Sequence, residues 1–238
     1  MKIHVYSVMR NEEDLLPYFL RHYSTFADTI FILDDHSTDR TIEIARANKK
    51  VRLIDFNYKG GMEDDFDLSN AFEESYKKYS RGVADWIMTV DADEFMYNKS
   101  MTRTLKEQKK LDTKAIQATA YTMFSKKFPV TKGQIYKECF WGKRSRAYDK
   151  TVIFNPSLDV KLGMGRHRTK LPNNVKSSRA DILMLHFRYL SRNFIIKRFA
   201  SPNFDYGDSK LIGKITIALA RYRDGLEAIK NGKAIKVV

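Results

Sequence analysis

The sequence predicts an α/β fold with a mostly parallel sheet flanked by helices, and three observations carry this prediction. Four apolar, β-rich runs occur within the first hundred residues, single helical patterns separate them, and each run ends in polar residues. Strands that alternate with single helices form right-handed units and align in parallel. The chain has 238 residues and is 43% hydrophobic, so it can bury a sizeable core. We expect one compact domain over residues 1–238.

Each element follows from its own pattern. The four strands are predicted at residues 2–9, 29–33, 51–56 and 86–90. The helix before the fourth strand carries apolar residues on one face, and Gly82 follows it as a C-cap. The second half of the chain is less regular. There we predict strands at residues 115–124 and 151–154, an apolar run at 182–189, and helices at 192–199 and 215–229.

Charge divides the chain into two unequal halves. Residues 1–100 contain 13 Lys and Arg against 19 Asp and Glu, whereas residues 101–238 contain 30 against 10. This asymmetry predicts that the basic half meets an anionic ligand, partner or membrane surface, with solubility as the alternative reading. Nucleic acid is not the expected partner, because the sheet edge is lined with Asp and no nucleic-acid motif is present.

The composition also indicates the cellular compartment in which the protein is expected. The single cysteine, Cys139, cannot form an intramolecular disulfide, which favours a reducing compartment. No apolar run approaches the ~20 residues that span a bilayer. The first residues, MKIHVYSVMRNEED, predict a strand rather than a signal peptide. We therefore expect a soluble, cytoplasmic protein.

Acidic side chains concentrate where a ligand should bind. In parallel sheets ligands lie beyond the carboxyl ends of the strands. At those ends the sequence places Asp34, Asp35, Asp91, Asp93 and Glu94. Two aspartates in a D-x-D arrangement can share Mg²⁺ or Mn²⁺, which keeps open positions for phosphate oxygens and stabilises a departing diphosphate. The alternative reading is a helix cap beside a solvated loop charge.

Several longer segments occur together and carry a resemblance. NEED follows the first strand, FILDDHSTDRT lies at the second and DWIMTVDADEF lies at the fourth, while YDKTVIF, GMGRHRTK and LMLHFRYL follow later. In this combination the chain resembles glycosyltransferase family 2, in the branch with a D-x-D-E-F segment. The resemblance implies the GT-A fold, with a Rossmann-like mixed sheet, and transfer of a sugar from a nucleotide diphosphate sugar, for which we expect UDP.

The resemblance assigns residues to the nucleotide sugar. Either Asp34 or Asp35 contacts the nucleoside, and Arg10 lies near the base. Acidic residues after the third strand line the same pocket, so Asp64 and Asp65 are candidates. Asp91, at the fourth strand, faces the ribose or the sugar.

The resemblance also implies a divalent cation, Mn²⁺ or Mg²⁺. Asp93 would hold it, with Asp91 as a second ligand that could share it. His186 in LHFRYL would be a further ligand. His167 in GRHR is its competitor, and the alternative role of His167 is a hydrogen bond to the sugar or to a phosphate.

The remaining assignments concern the chemistry of transfer. An inverting reaction needs a carboxylate that takes the proton of the acceptor hydroxyl, and Glu94 and Asp149 are the candidates, with Asp64 and Asp65 also open. Lys150 is expected to touch the diphosphate, and an ion pair is the alternative reading.

The sequence thus predicts a metal-dependent glycosyltransferase of polysaccharide biosynthesis. Residues 1–100 would bind the nucleotide sugar and the cation. Residues 101–238 would receive a glycan or a lipid-linked acceptor, with peripheral membrane association. A sugar-nucleotide nucleotidyltransferase and a basic nucleic-acid-binding protein are the alternatives. The first would need a glycine-rich loop after the first strand, and the segment MRNEE contains no glycine.

Overall fold

The computed structural model describes residues 1–56, 65–163, 166, 169–200 and 207–238. For residues 65, 66 and 207–211 it describes the backbone alone. Three of the predicted site residues are affected. Asp64, His167 and the side chain of Asp65 lie outside the described part of the chain.

The chain divides into two compact units, each formed from two segments. Unit 1 comprises Met1–Thr119 and Ala147–Met184. Unit 2 comprises Ala120–Arg146 and Leu185–Val238. The organisation of residues 1–238 as a single domain stays a prediction.

Strands and helices alternate through the first part of unit 1. The elements in chain order are β1 (Ile3–Met9), α1 (Leu16–Tyr23), β2 (Thr29–Asp34), α2 (Thr41–Arg46), β3 (Val51–Asp55), α3 (Asp65–Tyr79), β4 (Trp86–Thr89), β5 (Glu94–Tyr97) and α4 (Met101–Lys110). The apolar runs of β1 and β4 are buried along their whole length, as expected for central strands covered on both faces.

The later part of the chain contributes shorter strands and two helices. They are β6 (Ala115–Phe124), β7 (Trp141–Arg144), β8 (Lys150–Phe154), β9 (Lys161–Leu162), β10 (Thr169–Lys170), β11 (Ser177–Ser178), β12 (Leu183–Tyr189), α5 (Arg192–Ala200), α6 (Gly207–Lys230) and β13 (Ile235–Lys236). By the residues assigned to the units, β6 and β12 begin in unit 1 and end in unit 2.

The sheet of unit 1 is mixed. Strands β1–β2, β2–β3 and β1–β4 pair in parallel, which gives the order β4-β1-β2-β3. Strand β8 then pairs antiparallel with β4, and β6 pairs antiparallel with β8. The predicted α/β fold, with a Rossmann-like parallel region in a mixed sheet flanked by helices, is confirmed. Its core includes Tyr6, Phe31, Phe72, Tyr76 and Phe154.

Unit 2 has its own small core. Strand β7 pairs antiparallel with the end of β6 and with β13. Phe124 and Tyr189 stack with their ring centroids 5.6 Å apart, and Tyr222 of α6 packs in the same cluster. Gly225 is required here, because a Cβ at this position would lie 2.1 Å from the ring of Phe124.

Across the part of the chain that the structure describes, no helix is both long enough and apolar enough to cross a bilayer.

Candidate active site at the carboxyl edge of the sheet

The register of the parallel strands brings two acidic strand ends to one edge. Strand β1 lies between β2 and β4, with Met9 opposite Asp34 and Tyr6 opposite Thr89. The N–H of Val90 donates to the Tyr6 carbonyl at 3.0 Å. Val90 therefore continues alongside β1 beyond Thr89, the last residue of β4. Two strand spacings amount to about 10 Å. The predicted nucleoside residues and the D-x-D segment therefore lie along the same short edge.

The loops after β1 and β2 are tied together by side chain to backbone hydrogen bonds. Asn11 Oδ1 accepts from the N–H groups of Thr38 at 2.7 Å and Asp39 at 3.2 Å. The Asn11 N–H donates to Ser37 Oγ at 3.0 Å. Asn11 has a φ of 53°, a left-handed conformation that Asn adopts more readily than most residues. We call these connected loops, residues 10–13 and 34–41, the β2 end.

The structure brings together three of the predicted nucleoside residues. Asp34 Oδ2 accepts a hydrogen bond from the Ser37 N–H at 3.1 Å, which closes the turn after β2. Asp35 is buried, and its carboxylate lies 3.7 Å from Arg10 and 3.2 Å from the His36 ring. The Arg10 side chain remains about one-third exposed.

The segment Asp91–Glu94 forms a tight turn between β4 and β5. The Glu94 N–H donates to the Asp91 carbonyl at 3.0 Å, and Glu94 Oε2 accepts from the Asp91 N–H at 3.2 Å. Helix α1 is hydrogen-bonded to β5 through Tyr23. The Tyr23 hydroxyl donates to the Glu94 carbonyl at 2.7 Å and accepts from the Met96 N–H at 3.0 Å. The turn is therefore fixed by its own side chain and by α1.

Two buried cations neutralise the carboxylates of this turn. Lys150 Nζ lies 2.5 Å from Glu94 Oε1 and 4.0 Å from Asp91 Oδ2. Arg166 lies 2.5 Å from Asp91 Oδ1 and 3.6 Å from Glu94 Oε2. We call these four residues the β4 charge cluster. Only the Asp91 side chain is appreciably exposed, at 36%, whereas the other three are between 0% and 2% exposed.

Strand register explains where Lys150 comes from. Strand β8 runs antiparallel to β4, with Met88 opposite Ile153. Continuing that register three residues places Lys150 beside Asp91 at the carboxyl end of β4. Lys150 is buried against Glu94, so the ion pair that was the alternative reading is present. Direct contact of Lys150 with a diphosphate stays a prediction.

Arg166 lies in the connection between β9 and β10. Glu73 of α3 accepts the Leu162 N–H at 3.0 Å and binds Lys161 at 2.8 Å, which anchors β9 on the helix. The Arg166 N–H then donates to the Gly163 carbonyl at 2.7 Å. The guanidinium lies 4.9 Å from the ring centroid of Phe72, in cation–π geometry.

The charge cluster sets the ionisation of Asp91. Burial raises the pKa of this carboxyl, but attraction by Arg166 and Lys150 outweighs burial and holds the pKa below its ordinary value. Asp91 is therefore ionised at neutral pH. Its charge is compensated inside the protein, while its exposed part can still accept hydrogen bonds.

The structure describes the predicted metal ligands Asp91, Asp93 and His186, whereas the competing residue His167 lies outside the described part of the chain. Asp93 is buried in the same turn as Asp91, and His186 is a buried residue of β12 in unit 2. Within the described residues, no group of three or more His, Cys, Asp or Glu side chains is arranged to hold a metal ion. The D-x-D carboxylates offer the hard oxygens that suit Mg²⁺ or Mn²⁺, so they fit such an ion chemically. Glu94 does not, because both of its oxygens are engaged.

The two candidate bases differ in accessibility. Glu94 is completely buried, so the geometry favours a positioning role for it. Asp149 lies next to Lys150 and forms an ion pair with Arg179 at 3.4 Å. Arg179 is exposed and also donates to Thr119 Oγ1 at 3.2 Å, whereas the Asp149 side chain is only 9% exposed.

Arg166 is the residue that sequence reasoning missed. It had been noted only as a neighbour of His167. The signal that could have found it is electrostatic. A buried strand followed by three carboxylates needs buried cations nearby, and GMGRHRTK is a basic segment within the quoted resemblance.

Comparison with known proteins identifies the family. The sequence model described as glycosyl transferase family 2 matches residues 5–166. A curated relative from Aedes aegypti, named glycosyltransferase 25 family member, is 28% identical over 121 residues. That match covers 41% of this chain and 20% of the relative, so the matched segment spans about a fifth of that longer protein.

Solved structures were also compared. The crystal structure of S. aureus TarS is 13% identical, with a TM-score of 0.46, and the match covers 94% of this chain and 43% of TarS. A crystal structure of residues 1–349 of TarS in complex with UDP-GlcNAc is 15% identical, with a TM-score of 0.35 over 56% of this chain and 36% of that chain.

The family match spans β1 to β4, the D-x-D turn, β8 and Arg166. It therefore includes both the β2 end and the whole β4 charge cluster. From this match over most of its length, the chain belongs to glycosyl transferase family 2.

Proposed function

We propose that this chain transfers a sugar from a nucleoside diphosphate sugar, with UDP as the first candidate nucleotide, to a hydroxyl group of a glycan or a lipid-linked acceptor. The observation that carries the proposal is the turn at Asp91–Glu94. It projects one ionised, partly exposed carboxylate from the carboxyl edge of the sheet, within the span of the family match.

The donor is proposed to lie across this edge. Its nucleoside would contact the β2 end, where Arg10 and Asp35 form an ion pair and Asp34 closes the turn. Its ribose or sugar hydroxyl groups would donate to Asp91. Asp64, Asp65 and His167 keep their predicted roles toward the nucleotide sugar.

A divalent cation, Mn²⁺ or Mg²⁺, is part of the proposal. Asp93 would hold it, with His186 as the predicted further ligand. When bound, such a cation supplies positive charge to the diphosphate as the bond to the sugar breaks. The cation requirement is supported by the carboxylate chemistry of the turn and by the resemblance.

The acceptor hydroxyl must lose a proton during transfer. Asp149 is the better candidate for the base, because both carboxylate oxygens of Glu94 are engaged within the charge cluster. Inversion at the anomeric carbon is the proposed stereochemical outcome. We infer it from the resemblance alone.

The charge of unit 2 supports an anionic acceptor. By sequence, unit 2 has 18 Lys and Arg against five Asp and Glu, whereas unit 1 has 25 against 24. The segment 120–146 contains one acidic residue, Glu138. Exposed lysines surround it in sequence: Lys126, Lys127, Lys132, Lys137 and Lys143. An acceptor carrying phosphate or carboxylate groups, or a peripheral contact with an anionic membrane, fits this surface.

The compartment is also a proposal. Cys139 is a free, buried cysteine, and burial raises the pKa of its thiol to about 11. A thiol of this kind is unreactive at neutral pH, which is compatible with the predicted cytoplasmic location.

Calorimetric titration of UDP tests the function, with Mn²⁺ and then with EDTA, for wild type and for Asp93→Asn. The proposal predicts binding that depends on Mn²⁺ and is weakened by about tenfold or more in Asp93→Asn. Binding of GDP or dTDP in place of UDP would change the donor and keep the reaction. Absence of binding by every nucleoside diphosphate would overturn the proposal.

A further inference from the structure

The connection between β6 and β7 in unit 2 carries an apolar side chain that faces solvent. Val130 is 86% exposed, more than any other large hydrophobic side chain in the part of the chain that the structure describes. A single exposed valine is common on protein surfaces. Its surroundings distinguish this one, because four exposed lysines lie on the same loop, residues 125–138: Lys126, Lys127, Lys132 and Lys137. We call this segment the 125–138 loop.

The four lysines of the 125–138 loop are not neutralised by a neighbouring carboxylate. Glu138 is the one acidic residue of this loop. Its Oε2 accepts a hydrogen bond from the Val130 N–H at 3.1 Å, so it closes the loop across its own backbone. Within the described residues, none of the four lysines forms an ion pair. The loop therefore presents a local excess of positive charge to solvent.

Contacts with the rest of unit 2 hold the base of this loop. The Tyr222 hydroxyl of α6 donates to the Ser125 carbonyl at 3.1 Å, and Ser125 Oγ donates to the Lys127 carbonyl at 2.7 Å. Phe128 packs against Phe194 of α5, with the ring centroids 4.9 Å apart. A loop that is already ordered loses little conformational entropy when its tip meets a partner.

An anionic lipid bilayer offers a partner for both features of the loop. Its headgroups attract lysine side chains, and each lysine close to the surface adds to binding. Its acyl boundary also accepts an apolar side chain, with an affinity that grows with the apolar area buried. A soluble polyanion, such as a nucleic acid or an acidic glycan, rewards the lysines and leaves Val130 in water. The exposed valine among the lysines therefore favours a bilayer.

We propose that the 125–138 loop docks this protein on an anionic lipid bilayer, with Val130 entering the headgroup region and the lysines contacting anionic headgroups. The inference deepens the proposed function and rests on it, because it brings the protein to the surface that holds a lipid-linked acceptor. The attachment is reversible, since one small apolar side chain and four lysines bind more weakly than a membrane-spanning helix.

Co-sedimentation with lipid vesicles tests the inference without any nucleotide. Wild type is expected to bind vesicles made of equal parts phosphatidylcholine and phosphatidylglycerol, and to bind pure phosphatidylcholine vesicles about tenfold more weakly or worse. Binding to the anionic vesicles should weaken as NaCl is raised from about 0.1 M to about 1 M, because salt screens the lysines from the headgroups. Equal binding to the two kinds of vesicle, or binding to neither, would overturn the inference.

A double variant, Lys126→Gln with Lys127→Gln, tests the charge of the loop. It is expected to weaken binding to the anionic vesicles by about tenfold or more. The matched control is Lys106→Gln with Lys110→Gln in α4 of unit 1, which removes the same charge from two exposed side chains. The control should stay within about threefold of wild type. Equal losses in the two double variants would show that overall charge attracts the bilayer, which would overturn the assignment to this loop.

Val130→Ser tests the apolar tip. It is expected to weaken binding to the anionic vesicles by about threefold or more, because the serine side chain gains little from leaving water. Val83→Ser is the control, since Val83 is 51% exposed in unit 1 and should not contribute. An unchanged affinity in Val130→Ser would overturn the inference. If one of these variants does not fold by circular dichroism, the other variants and the lipid dependence of wild type decide.

Two further measurements separate the remaining outcomes. Dextran sulfate supplies a soluble polyanion without a bilayer, and binding of wild type to dextran sulfate but not to anionic vesicles would overturn the inference. Titrations of UDP, GDP and dTDP into wild type separate the inference from the proposed function. If one of them binds while anionic vesicles do not, the inference alone fails. If anionic vesicles bind while no nucleoside diphosphate does, the proposed function fails and the contact of the loop with lipid stands.

Discussion

The β2 end and the β4 charge cluster are both acidic strand ends, but their acids have different partners. At the β2 end, Asn11 and Asp34 accept backbone N–H groups and so shape the loops. Asp35 of this end faces a cation, Arg10 at 3.7 Å. In the β4 charge cluster, the carboxylates of Asp91 and Glu94 face Lys150 and Arg166. Acidic side chains at the end of a strand therefore have more than one structural role. The donor group that each one faces decides whether it builds a turn or holds a charge.

The two regions should respond differently when one partner is lost. A broken side chain to backbone bond at a partly exposed turn leaves groups that water can reach, so its cost is modest. A broken buried ion pair leaves an uncompensated charge, so its cost is large, although the intact pair adds little net stability.

Lys150→Met should produce the largest loss of stability. It leaves the buried Glu94 carboxylate without the cation that lies 2.5 Å away. Loss of one partner of a buried pair costs about 3–5 kcal/mol in the free energy of unfolding. Urea denaturation measures this loss. The double variant Lys150→Met with Glu94→Gln should recover more than half of it, and a single-variant loss below about 1 kcal/mol would contradict the cluster.

Acid should destabilise the strand that carries Glu94. His22 donates from Nε2 to the Met96 carbonyl of β5 at 2.9 Å, and burial lowers the pKa of His22 from 6.5 to about 4. The unfolded chain therefore binds this proton before the folded one does. The stability contribution is present above pH 6.5 and is lost as pH falls toward 4, by about 3 kcal/mol in all.

The control for this acid effect is His22→Gln. The variant keeps a hydrogen-bond donor and removes the titrating group. Urea midpoints between pH 7 and pH 4 should fall less steeply for His22→Gln than for wild type. Parallel slopes would show that other groups account for the acid sensitivity of β5.

Asn11→Ala should weaken the β2 end by a smaller amount. It removes the acceptor of the Thr38 and Asp39 N–H groups and places Ala at a φ of 53°. Together these changes are expected to cost about 2 kcal/mol. Asn11→Gly tolerates the same φ and should lose only the hydrogen-bond part. Equal losses in the two variants would remove backbone strain from the explanation.

Arg103→Met should have the smallest effect. Arg103 pairs with Glu107 one turn along α4 at 2.9 Å, and both side chains are exposed. Pairs of this kind contribute little to stability, because water and salt screen the two charges. A loss of stability comparable with that of Lys150→Met would mean that exposure does not separate the two kinds of ion pair.

The parallel part of the fold could be predicted because its strands are continuous apolar runs. The prediction of residues 29–33 became β2 at Thr29–Asp34, and residues 2–9 became β1 at Ile3–Met9. Strand β5 was not predicted, because it has four residues and starts within the acidic turn. Helix α4 was also missed, since only Met101 and Leu105 of its ten residues are buried.

The site was predictable where one segment carries it. Asp91, Asp93 and Glu94 lie within four consecutive residues after an apolar run, so the sequence could place them together at a strand end. Arg166 comes from a distant connection, and no local pattern links it to Asp91. Only the closure of β9 and β10 on α3 brings this charge to the turn. Pairing of buried charges is thus the part of the site that sequence patterns leave open.

Turnover of nucleotide sugars is the decisive measurement for sugar transfer at the D-x-D turn. Wild type and folded Asp93→Asn would be incubated with UDP-, GDP- and dTDP-linked sugars and Mn²⁺, and release of nucleoside diphosphate would be measured by chromatography. Sugar transfer at this turn predicts slow release from one nucleotide class, reduced by about tenfold or more in Asp93→Asn. Release from no donor, or equal release by the two proteins, would contradict it.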